Sequence, residues 1–168
     1  GYDVALYDVK KEALDRSMQK IPKTLSKIAA GGLTNDADAA LKRISATADA
    51  ANAARDADIV SESIPEDPEL KGRVFRQFHE LCPEHTIFTT NTSSLVPSMF
   101  AAQCGRPGRL IALHFHPPVW MATVADVMPH PGTEPEVTEI TRQFAERIGQ
   151  APILLTREHP GFVFNTML

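Results

Sequence analysis

Apolar and polar positions along the chain follow two rhythms, and the switches between them separate strands from helices. Residues 3–8 (DVALYD) read as a short apolar strand. Beyond it, Leu14, Met18, Ile21, Leu25 and Ile28 fall at helical spacing. That spacing buries one stripe of a long helix and leaves Lys20, Lys23 and Lys27 toward water. Pro22 lacks an N–H and crowds the preceding turn, so a kink or a split in two is expected there. Gly31-Gly32 is expected to end the helix. The alanine-rich stretch to Arg55 predicts a short helix, a strand at Ile44–Thr47 and a second short helix capped by Asp49.

Residues 57–62 (ADIVSE) predict a buried strand. Asp67 and Pro68 then open a helix with Leu70, Val74, Phe78 and Leu81 as its apolar stripe. Residues 86–90 (TIFTT) form a strand leading into Asn91-Thr92-Ser93-Ser94, with a short helix after Pro97. Strands are predicted at 109–114 and 123–128, on either side of a Pro-rich loop. Thr133 is expected to cap a helix with Val137, Ile140, Phe144 and Ile148 inward, stopped by Gly149, and 152–155 is the last strand. Strands alternating with helices predict an α/β domain whose mostly parallel sheet is covered on both faces. Ligands of such sheets bind beyond the carboxyl ends of the strands. Asp8, residues 62–66, residues 91–94 and His114 are therefore the polar positions to watch.

Asp8 stands at the tip of its strand, where a dinucleotide fold places the acid that accepts hydrogen bonds from the adenosine ribose. That acid lies about 20 residues after the start of a glycine-rich phosphate loop, which would precede residue 1. An Asp there equally suits a simple helix cap.

Composition narrows the field. The 168 residues suffice for one domain with a real core, and no apolar run is long enough to cross a membrane. The net charge of −4 gives no footprint of a general nucleic-acid binder. Two cysteines without metal or redox spacing point to a reducing setting, which we read as cytoplasmic.

Four segments then fall in one order: 59–66 (IVSESIPE) with Lys71, 91–95 (NTSSL), 113–115 (LHF) and 160–165 (PGFVFN). With them the chain resembles the 3-hydroxyacyl-CoA dehydrogenase family over essentially its whole length. The resemblance implies a Rossmann-type, doubly wound NAD-binding domain over 1–158 and the start of a helical dimerisation domain over 159–168. It also implies a chain lacking the first strand and glycine loop, hence a poor enzyme as it stands. NAD is the implied cofactor, an acyl-CoA the substrate, and a homodimer the implied full-length form.

The resemblance implies roles as well. His114 matches the catalytic histidine, a base for the C3 hydroxyl proton. Asp126 stands where the family carries a glutamate that orients it. Ser93 matches the serine that hydrogen-bonds the C3 oxygen, and Asn165 the asparagine that helps place substrate. Ser63, Glu66, Lys71 and Asn91, with Asp8, match cofactor-binding positions. A free hydroxy-acid dehydrogenase, similar to gulonate or carnitine dehydrogenases, and a non-catalytic dinucleotide-binding relative remain as alternatives.

Two departures stand out. Asp126 is one methylene shorter than the family's residue. The loop after the histidine reads His116-Pro117-Pro118-Val119-Trp120-Met121, without the family's asparagine, which leaves acyl preference open. His114 and His116 share a side of an extended chain and, with His130 and Asp126, raise a metal site as a minor alternative; no metal is expected.

Overall fold

The computed structural model describes residues 1–32 and 36–163. They form two compact units, Gly1–Asp56 and a second beginning at Ala57. The first unit pairs β1 (Val4–Tyr7) with β2 (Ile44–Thr47) in parallel, alongside α1 (Lys11–Ala30), α2 (Ala37–Lys42) and α3 (Ala50–Ala54). Asp49 caps α3 as expected, accepting from the Ala51 N–H at 2.9 Å. Helix α1 runs through Pro22 without splitting. Ser26 Oγ donates to the Pro22 carbonyl at 2.9 Å. The helix stops where expected, with Gly32 at φ 73°, a left-handed conformation that glycine adopts without strain.

The second unit is a five-stranded sheet in the order β3 (Ile59–Glu62), β4 (Ile87–Thr90), β5 (Leu110–Phe115), β6 (Val124–Pro129), β7 (Ala151–Leu154). All neighbours are parallel except β5 and β6, which are antiparallel. Side-chain alternation along β5 and β6 sends Ile111, Leu113, Ala125 and Val127 to one face, where α6 (Pro135–Arg147) packs Val137 and Ala145 on them. Ala112 and Met128 go to the other face, against Val96, Leu155 and Phe162. On β4, Phe88 stacks on Phe75 of α4 (Pro68–Leu81), with ring centroids 5.2 Å apart, and Phe75 stacks in turn on Phe100 of α5 (Ser98–Ala101) at 5.9 Å.

Three expected faces differ. Helix α4 buries Lys71, Gly72, Phe75 and Phe78, while Leu81 is exposed. Helix α6 buries Val137, Thr141 and Ala145, leaving Ile140 and Ile148 exposed. Both buried stripes are therefore rotated from the ones read off the large aliphatic positions. Strand β3, expected to be buried, is buried only at Glu62. Thr133 does not cap α6; Glu134 occupies that position, and Thr133 Oγ1 donates instead to the Leu110 carbonyl at 2.7 Å. The Asp67 cap on α4 is as expected, accepting from the Leu70 N–H at 3.0 Å.

Candidate active site

The antiparallel step between β5 and β6 creates the site. It places His114 directly across from Asp126, on the face opposite α6. The parallel strands β3 and β4 end at the same edge of the sheet, so the turns after them, carrying Glu66 and Ser93, reach this pair.

Three side chains form a relay. Ser93 Oγ lies 3.1 Å from His114 Nε2, and His114 Nδ1 lies 3.3 Å from Asp126 Oδ2. An ionised carboxylate only accepts, so Asp126 selects the tautomer with hydrogen on Nδ1. Nε2 is then the acceptor and faces the exposed Ser93 hydroxyl. Asp126 is fully buried and His114 nearly so. Burial pushes the imidazole below its ordinary 6.5. The bond to Asp126 opposes that push, the neighbouring His116 adds to it, and the charges of Asp126 and Glu66 oppose it again. Phe162 closes the site from one side, its ring centroid 4.9 Å from that of His114. It does so at φ 56°, a left-handed conformation that a bulky residue holds only where packing enforces it, and it is 1% exposed.

The turn carrying Ser93 is held by Glu66. Its Oε1 accepts from Thr92 Oγ1 at 2.7 Å and from the Ser93 N–H at 2.8 Å. Burial works to raise the Glu66 carboxyl, but these two bonds and the Lys71 ammonium outweigh it and hold it below its usual range. Lys71 is 1% exposed, with Nζ 2.7 Å from Glu62 Oε1, 3.1 Å from the Ile64 carbonyl and 3.3 Å from Glu66 Oε2. Expected at the cofactor, Lys71 is instead enclosed by these oxygens, so its reach to a ligand is through Glu66. Asn91 braces the strand ends: its Oδ1 accepts from the Phe115 N–H at 2.9 Å and its Nδ2 lies 3.4 Å from Ser63 Oγ.

In the first unit, Asp8 Oδ1 accepts from the Lys10 N–H at 2.8 Å. This is a turn bond before α1, whose N-cap residue is Lys10, so Asp8 does not cap the helix. Its second oxygen has no partner among the described residues, which leaves a strand-end carboxylate able to accept ribose hydroxyls. Asn165 lies outside the described residues.

His116 joins the relay at Asp126, with Nε2 3.2 Å from the same Oδ2. His114, His116 and Asp126 offer three ligand atoms within 4.8 Å of one another. His130 is elsewhere, bonded to the Pro107 carbonyl at 2.8 Å, so the four-residue metal cluster does not form. Sequence reasoning flagged Glu62 at its strand end but not its pairing with Lys71, and it gave Phe162 no role in the site, because a sequence gives no signal of that residue's left-handed backbone.

A mostly parallel sheet flanked by helices, with a hydroxyl–imidazole–carboxylate relay beyond its strand ends, defines a Rossmann-like domain with a candidate proton-transfer site. The chain belongs to the 3-hydroxyacyl-CoA dehydrogenase family: that family's NAD binding domain matches residues 1–159. NAD is accordingly its cofactor, and the family is one of oxidoreductases. The chain is 36% identical over its whole length to a probable 3-hydroxybutyryl-CoA dehydrogenase of Deinococcus radiodurans, covering 60% of that protein. It is 31% identical over its whole length to an L-carnitine dehydrogenase of Bacillus cereus, covering 51% of it. Among solved structures, a diketoreductase acting on dicarbonyl compounds superposes with a TM-score of 0.94 at 36% identity, over 99% of this chain and 60% of that one. The 3-hydroxybutyryl-CoA dehydrogenase of Escherichia coli superposes with a TM-score of 0.90 at 33% identity, over 97% and 34%. The chain thus spans between about half and three fifths of these two curated relatives. No helix among the described residues is long and apolar enough to cross a membrane.

Proposed function

We propose that the full-length protein oxidises the C3 hydroxyl of a short-chain 3-hydroxyacyl-CoA, such as 3-hydroxybutyryl-CoA, with His114 as the general base. The observation that carries this reading is the relay Ser93–His114–Asp126, with its basic nitrogen turned toward an exposed hydroxyl. Bound NAD supplies the hydride acceptor for the hydrogen on C3. The chain supplies the rest. His114 Nε2 takes the alcohol proton and becomes an imidazolium, and Asp126 stabilises that charge from Nδ1. Ser93 Oγ donates to the C3 oxygen as it becomes a carbonyl. Phe162 keeps water from one side of the imidazole. Glu66, fixed by Lys71, holds the turn that presents Ser93. Asp8, Ser63, Glu66 and Asn91 are the residues we assign to cofactor binding, with Lys71 acting through Glu66. Asn165 is assigned to substrate placement on the family resemblance.

A second reading, oxidation of a free hydroxy acid, draws support from the likeness to an L-carnitine dehydrogenase. NADH formation by the full-length protein separates the two. The first reading expects kcat/KM for 3-hydroxybutyryl-CoA to exceed that for free 3-hydroxybutyrate or carnitine by about 100-fold or more, since CoA contacts add binding energy. Turnover of the free acids alone would overturn it.

A further inference from the structure

The structure assigns His116 a part in the reaction that neither the family likeness nor the relay itself contains. We propose that His116 is a second anchor for the Asp126 carboxylate, a positioning residue that limits how strongly Asp126 grips His114. The inference rests on His114 being the base, as proposed above.

The two imidazoles meet one atom. Asp126 Oδ2 accepts from His114 Nδ1 at 3.3 Å and from His116 Nε2 at 3.2 Å. Its other oxygen, Oδ1, is buried without a hydrogen-bond partner. Both bonds exceed the 2.7–2.9 Å of a fully engaged charge-assisted bond, as expected when two donors share one acceptor. The rings of His114 and His116 stand edge to face around that oxygen, 4.6 Å between centroids.

The chain gives this arrangement a reason. Asp126 sits opposite His114 in the strand register, fully buried. A buried carboxylate is costly unless donors compensate it. With His114 alone, Asp126 would carry one N–H bond for two oxygens and remain free to turn about χ2. His116 enters from just beyond the end of β5, on the side of the strand that His114 shares, and fixes that rotation. The charged and titratable groups facing His114 are then Asp126 from β6, His116 from the loop after β5, and Glu66 from the turn after β3, with Ser93 and Phe162 as the uncharged walls. Of these, only His116 opposes the pull of the two carboxylates on the imidazole.

The consequence is a balance. Asp126 must orient His114 yet must not make it so basic that it is already protonated when substrate arrives. His116 draws part of the Oδ2 electron density to itself. Removing its N–H gives all of that density to His114 Nδ1–H and loosens the carboxylate at once.

The test uses the full-length protein with His116→Phe, which keeps a ring and removes the donor, and His116→Gln, which keeps an N–H. The His114 imidazole is titrated by 15N-detected NMR without substrate, and kcat and KM are measured on the turned-over substrate. The Phe variant is expected to raise the His114 titration midpoint by about half a unit or more and to lower kcat about tenfold, with KM within about twofold. The Gln variant is expected to stay within about threefold of wild type in kcat. Should the Phe variant fail to fold, His116→Leu provides the same comparison. An unchanged His114 midpoint in the donor-free variant overturns the proposal, as does a Gln variant no better than it. Because the titration needs no substrate, a wild-type protein inactive on every acyl-CoA would defeat the function proposed above while leaving this readout intact.

Discussion

Replacing His114 by alanine in the full-length protein is expected to lower kcat by about 10²–10⁴-fold, the usual contribution of a positioned general base. NAD affinity should stay within about twofold, since the cofactor is held by strand-end groups other than the relay. Steady-state NADH formation and calorimetric titration with NAD check the two halves separately. The size of the effect follows from the site's geometry. His114 Nε2 has Ser93 Oγ as its partner, and the hydroxyl provides no basic group to replace the imidazole. Asp126, left facing a cavity, is fully buried and cannot reach the proton that Nε2 would take. A variant that lost turnover and NAD binding together would point to misfolding, and one with wild-type turnover would remove His114 from the chemistry.

The second large effect is on stability. Lys71→Met is expected to lower the free energy of unfolding by about 3–5 kcal/mol, the usual loss when one partner of a buried ion pair is removed. At about 2–4 °C per kcal/mol for a domain of this size, Tm should fall by roughly 10 °C. The reason is the stranded partner. Glu62 is buried, and without the ammonium it keeps only the Thr90 hydroxyl at 2.6 Å and the Ile64 N–H at 2.6 Å. The double variant Lys71→Met, Glu62→Leu removes the stranded charge and should recover much of the loss, because apolar replacement of both partners is often neutral. Thermal unfolding of the three proteins gives the answer; a single variant melting within about 2 °C of wild type would show that Glu62 needs no cation. Lys71 also steadies Glu66, so the single variant should lose activity at temperatures where it is still folded.

Much of this was legible in the chain because local chemistry dictated it. Asp49 and Asp67 precede helices and cap them; Gly31-Gly32 and Gly149 end helices; the strand–helix alternation gives the mostly parallel sheet. Ser93 and His114 were picked out by motif order and Asp126 by its place 12 residues after His114, and the structure brings the three side chains together. What stayed hidden depends on partners far away in sequence. Helical spacing alone cannot tell Phe75 from Leu81 as the inward residue of α4; the stacking partners Phe88 and Phe100 decide it. Lys71 reads as a surface or ligand-binding lysine until Glu62, at the end of the preceding strand, is seen to enclose it. Pro22 lies within an uninterrupted α1, against its local preference. His116 was visible as an oddity beside His114, but that both imidazoles share one carboxylate oxygen follows from the β5–β6 register.

Hydride transfer measured in a single turnover across pH, in wild type and in His114→Ala, bears on the proton's route more directly than any other experiment. A base whose value is lowered by burial is already deprotonated at every pH above that value. The wild-type oxidation rate should therefore rise through one titration centred below the ordinary imidazole value of 6.5 and level off at higher pH. In the alanine variant the residual rate should be slow and should lack that titration. If the same titration persisted after His114 was removed, some other group would be taking the alcohol's proton, and the relay of Ser93, His114 and Asp126 would be a structural feature only.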